Sequence, residues 1–121
     1  MDFDHAIAAH SAWKTKLAAY LKKPDHSLNA AQIALDTACD LGKWIAGEGK
    51  QFSGLPEFAK VKADHTRFHK VAAQVVERAN AGEQLLEEVS LGAKSEFASA
   101  SNAVVRSIMA LKSKVGAPVR A

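Results

Sequence analysis

The sequence predicts an all-α fold, an antiparallel four-helix bundle. Three observations point there. Apolar residues recur at three-four spacing along four stretches, the period of one helix face. Alanine dominates the 48% apolar fraction, with only three Pro and seven Gly to interrupt it, a balance that favours helix. The connections between stretches are short, and 121 residues make one ordinary domain with a core of its own.

The first helix is predicted over residues 3–22, where Phe3, Ile7, His10, Trp13, Leu17 and Leu21 share a face. Pro24-Asp25-His26-Ser27 ends it, and Ser27 or Asn29 can cap the next. The second helix, residues 28–46, carries the inward stripe Leu35, Ala38, Cys39, Gly42 and Ile45, with Gly47 and Gly49 as its stop. Pro56 suits the first position of the third helix, residues 56–80. Its stripe is the clearest in the chain: Phe58, Val61, His65, Phe68, Ala72, Val75 and Ala79, ended by Asn80-Ala81-Gly82. The fourth helix, residues 83–114, repeats the spacing through Leu86, Val89, Ala93, Phe97, Ala100, Val104, Ile108, Leu111 and Val115. Gly92 is expected to kink or divide it. Residues 1–116 form the single domain, and 117–121 a frayed tail.

Charge and cysteine usage exclude several classes. The net charge is +3, with Lys and Arg spread along the chain and no basic stripe, so no nucleic-acid partner is expected. One Cys rules out an internal disulfide and fits a reducing compartment. The start, Met1-Asp2-Phe3-Asp4-His5, is acidic and unlike a signal peptide. No apolar run approaches the ~20 residues of a membrane helix. A cytoplasmic location without membrane contact follows. No paired carboxylates, nucleophile triad or phosphate-binding glycine loop argues for an enzyme.

The anomaly is where His and Cys fall. His10 lies on the stripe of the first helix, Cys39 on that of the second, and His65 and His69 on or beside that of the third. His65 and His69 stand four residues apart, so both rings reach one ion from one helix face. Three imidazoles and a thiolate suit Zn²⁺. The competing reading is a histidine-rich core in which each ring finds its own partner and Cys39 is a small hydrophobe. Trp13 is expected to pack over the site, and Trp44, off the Cys39 face, to fill a groove or a subunit interface. A di-iron or hemerythrin-like bundle needs inward carboxylates, and Glu48, Glu57, Glu77, Glu83, Glu87 and Glu88 fall mostly off the seams. A metal-free dimerisation module is the other alternative.

Three separated motifs resemble the chemoreceptor zinc-binding (CZB) domain of bacterial chemoreceptors and diguanylate cyclases. They are His10-Ser11-Ala12-Trp13-Lys14 with Leu17, Cys39-Asp40-Leu41-Gly42-Lys43-Trp44-Ile45 followed by Gly47, and His65-Thr66-Arg67-Phe68-His69. The resemblance spans roughly residues 3–112. It implies a helical symmetric homodimer with one zinc per subunit, held by His10, Cys39, His65 and His69. It also implies signalling, in which zinc occupancy, or oxidation of the zinc-bound Cys by hypochlorous acid, alters an output domain. No receptor or cyclase domain accompanies these motifs, so the chain reads as a free-standing member acting on a signalling partner, or as an excised domain.

Overall fold

Asp2 opens the first helix. Its carboxylate accepts the backbone N–H groups of Asp4 (2.8 Å) and His5 (3.3 Å), two of the four donors a helix start leaves unpaired. In the computed structural model, which describes residues 2–37, 39–86 and 90–115, this helix is α1 (Phe3–Ser11). It passes through one turn residue, Ala12, into α2 (Trp13–Lys22). There follow α3 (Ala30–Ile33), α4 (Asp40–Ala46), a 3-10 turn (Glu48–Phe52), α5 (Pro56–Asn80) and α6 (Glu96–Val115). The described residues contain no strand. None of their helices is long and apolar enough to cross a membrane.

The third helix matches its expected limits. Pro56 occupies the first turn of α5, where its missing N–H costs nothing. At the other end Gly82 takes φ +90°. The Gly82 N–H donates to Ala79 O and the Glu83 N–H to Arg78 O, both at 3.1 Å, the paired bonds that close a helix through a left-handed residue.

Two expected helices are shorter than the spacing implied. Residues 28–46 are not continuous. Asn29 caps α3 by accepting from Ala31 and Gln32 N–H, the helix stops at Ile33, and Cys39 caps α4. Leu35, expected inside, is 55% exposed; Ala38 lies outside the described residues. The fourth helix is divided at Gly92, as expected: Ser90 and Leu91 are helical, and the long part starts at Glu96, where Ser95 caps it, its Oγ accepting the Ala98 N–H (3.0 Å) and donating to Gly92 O (2.7 Å). Residues 83–86 are non-helical, and Leu86 is 69% exposed. Ala93 is also exposed. Val89 and the tail 117–121 lie outside the described residues.

The rest of the pattern is buried or, at Ile7, Trp13, Leu21 and Val115, partly buried against the core. On α5, Phe58, Val61, His65, Phe68, Ala72, Val75 and Ala79 face inward, and on α6 Phe97, Ala100, Val104, Ile108 and Leu111 do. These two helices share the most extensive contact. Phe68 meets Phe97 with ring centroids 5.6 Å apart. The Lys112 ammonium reaches the Asp4 carboxylate at 2.7 Å, tying the end of α6 to the start of α1. Asn80 fastens the opposite end. It accepts from the Tyr20 hydroxyl on α2, and its Nδ2 donates to Leu28 O at 3.0 Å.

Trp44 fills a groove within the subunit, the first of its two expected places. It is 5% exposed and sits among Phe3, Phe52 and Phe58, with centroids 5.3, 5.9 and 6.1 Å away. Trp44→Ala should lower the unfolding free energy by about 3–5 kcal/mol. Leu35→Ser should change it by less than about 0.5 kcal/mol. Urea denaturation of the two variants checks both, and equal losses would contradict this placement of the core.

Candidate metal centre

Each donor reaches the centre from a different local cause. His65 and His69 sit one turn apart on the inner face of α5, 1% and 5% exposed. His10 comes from the inner face of α1 and is equally enclosed. Cys39 stands before the first turn of α4, where its extended backbone makes it the cap residue, and its Sγ accepts the Gly42 N–H at 3.4 Å. It is half-buried.

The structure brings all four predicted residues together. One donor atom from each of His10, Cys39, His65 and His69 lies within 4.8 Å of every other. Cys39 Sγ is 3.1 Å from His65 Nε2 and 3.6 Å from His69 Nε2. A tetrahedral zinc with bonds of about 2.0–2.1 Å to nitrogen and about 2.3 Å to sulfur spaces its donors about 3.3–3.6 Å apart. The two Cys39–histidine separations lie close to that spacing, and the 4.8 Å limit on the whole group is somewhat wider, so small side-chain movements would close the cluster to a zinc shell. Among the described residues no carboxylate joins the group.

The ring orientations are set by backbone oxygens. His10 Nδ1 lies 2.8 Å from Ala6 O, and His69 Nδ1 lies 2.8 Å from Ile33 O. A carbonyl accepts only, so Nδ1 carries the proton in both rings and Nε2 keeps its lone pair. That is the tautomer a metal ligand needs. The three imidazoles stack edge to face, with centroids 4.5 Å (His65–His69), 5.0 Å (His10–His65) and 5.7 Å (His10–His69) apart.

The sequence did not reveal the carbonyls of Ala6 and Ile33, since every residue carries one. It also misplaced the aromatic wall. Phe68 packs against His10 and His69 at 5.1 and 5.7 Å, a role its position between the two histidines could have suggested. Trp13 is half-buried with the Lys16 ammonium 4.4 Å above its ring.

Burial disfavours charge on two of the imidazoles. It pushes His65 down to about 3, aided by the neighbouring His69 and His10, and it lowers His10 as well. Burial raises the Cys39 thiol, against the pull of the Gly42 and Leu41 amides. These two rings are thus ready to ligate as they stand, whereas the thiol gives up a proton when a metal binds.

The same shifts give the metal-free protein an acid limit. Between the ordinary histidine value of 6.5 and about 3, the unfolded chain binds a proton at His65 that the folded chain refuses. Stability from this group is complete above 6.5 and is lost as pH falls through that window, by about 1 kcal/mol per pH unit. Denaturant melts of chelator-treated protein across this range should show the loss; a flat profile would contradict it.

Comparison with known proteins comes to one match. Neither the curated proteins nor the solved structures gave any. A sequence model described as the chemoreceptor zinc-binding domain matches residues 10–76, a narrower span than the motifs suggested but one that includes all four donors. It covers more than half of the 121 residues. A helical chain whose matched segment gathers three histidines and one cysteine into a metal-sized cluster belongs to the chemoreceptor zinc-binding domain family, a family of zinc-binding domains.

Proposed function

We propose that this chain is a zinc-binding sensory domain, with His10, Cys39, His65 and His69 as the four ligands and Cys39 as the point where a signal acts. The observation that supports this most is the donor set: four nitrogen and sulfur atoms converge, with two rings already turned by backbone carbonyls. Bound zinc would supply a tetrahedral tie. Its ligands would join α1, the start of α4 and α5. Four protein ligands leave no position for water or substrate, which argues for sensing rather than catalysis. Among the described residues the cluster includes no carboxylate of the kind a di-iron site needs.

Cys39 differs from the histidines in its mounting. The rings stand on α1 and α5, while Cys39 stands outside the helices, as the extended cap residue before α4. A cleft of about 690 Å³, lined by His5, Ala9, Leu41 and Lys43 along with His10 and Cys39, opens beside it. Small reagents can enter there. Zinc ligation holds sulfur as thiolate, the form oxidants attack. Hypochlorous acid transfers oxygen to the thiolate, giving a sulfenic acid and chloride. The product is a poorer ligand, so α4 is released from the cluster. Falling zinc availability releases it by the other route.

The output passes to a signalling partner or fused domain of the chemoreceptor or diguanylate cyclase kind. The assembly is a symmetric homodimer of antiparallel four-helix bundles in the cytoplasm. These points rest on the family and on the opposed helix directions. Leu28 lies by Asn80 and Ile33 by His69, so this segment runs against α5.

Elemental mass spectrometry after gel filtration tests the reading. We expect about one zinc per chain, released from the wild type by stoichiometric hypochlorous acid. Cys39→Ala should hold zinc more weakly and ignore the oxidant. Reduced wild type that carries no zinc and takes up none on titration would sink the proposal.

A further inference from the structure

Gly42 meets backbone where no side chain has room. A Cβ there would lie 1.7 Å from the Asp36 carbonyl oxygen, 2.7 Å from its carbon and 2.9 Å from Thr37 Cα. These are main-chain atoms, so no rotamer change relieves the overlap. The Asp36–Thr37 strip is also fastened from the far side, since the Thr66 hydroxyl on α5 donates to the Asp36 carboxylate. On its near side, the Gly42 N–H donates to Cys39 Sγ at 3.4 Å. By contrast, a Cβ on Gly54 would touch nothing within 4 Å.

We propose that Gly42 is a positioning residue for the Cys39 thiolate. Its bare Cα lets the first turn of α4 close onto residues 36 and 37. That closure, together with the Gly42 N–H, aims Sγ at the Nε2 atoms of His65 and His69. A side chain at 42 pushes α4 away from the strip and carries Cys39 out of the shell, while the three histidines stay on α1 and α5. The inference rests on Cys39 being a zinc ligand.

A double-mutant cycle decides it. Zinc affinity is measured by competition with a chelating dye for wild type, Gly42→Ala, Cys39→Ala and the double variant, with Gly54→Ala as control. Cobalt(II) substitution reports the sulfur–metal bond through its thiolate charge-transfer band. Gly42→Ala should weaken zinc by about 10–100-fold, the usual effect of disturbing a group that supports a ligand, and should diminish the cobalt band. In the Cys39→Ala background it should add nothing. Gly54→Ala should match wild type. An equal loss with and without Cys39, or an undiminished affinity and band, overturns the proposal. If circular dichroism shows Gly42→Ala unfolded, Thr66→Val, which frees the same strip, takes its place in the cycle. A loss confined to proteins with Cys39 supports the proposal, and no loss or an additive one overturns it. Wild type that binds no zinc overturns the functional reading itself, a result distinct from an additive cycle in a zinc-loaded wild type.

Discussion

Three imidazoles in a dry core set the terms for everything around them. Each ring carries one nitrogen that donates and one that accepts, and a buried polar atom without a partner is costly. His10 and His69 solve half of this with backbone carbonyls, Ala6 and Ile33. The remaining nitrogens then point at one another and at Cys39, where no proton can satisfy them all. Burial, helped by the neighbouring rings, disfavours charge on His65 and His10. Lone-pair-bearing nitrogens gathered beside a thiol are a poor end state for a core and a good one for a soft cation.

The break after α3 follows from the same constraint. In a continuous helix the Ile33 carbonyl would be taken by the N–H four residues on. Here it is given to His69 instead, residues 34–37 are non-helical, and Cys39 caps α4. Cys39 is the extended cap residue of α4, not one of its helical residues, so the unbroken-helix relation between positions 39 and 44 does not hold. Trp44, inside α4, packs against Phe3 and Phe58.

That explains which parts of the molecule the sequence could disclose. α5 was legible because its period, its opening proline and its closing glycine agree over 25 residues. The four donors were legible because polar atoms on an apolar stripe stand out. The second helix and residues 83–86 depart from the spacing, and where the helices start is fixed by caps that outweigh periodicity: Asn29, Cys39 and Ser95 each bond nearby backbone. The carbonyls that turn the rings, and the Asp36 backbone that excludes a side chain at 42, leave no trace in residue identity. They exist only once distant segments meet.

Asn80 ties one end of the molecule together. Its side chain pins α2 through Tyr20 and the second segment through Leu28, eleven residues along α5 from His69, or about 16 Å. The histidine–cysteine cluster sits partway along the same shaft, and Trp44 lies beyond it, against Phe58. Between Leu28 and Cys39 the second segment is laced to α5 twice more, by the Ile33 carbonyl on His69 and the Asp36 carboxylate on Thr66. A chain that is irregular in the helical sense is therefore not a loose one: the approach to Cys39 is held at three points by side chains of a single helix.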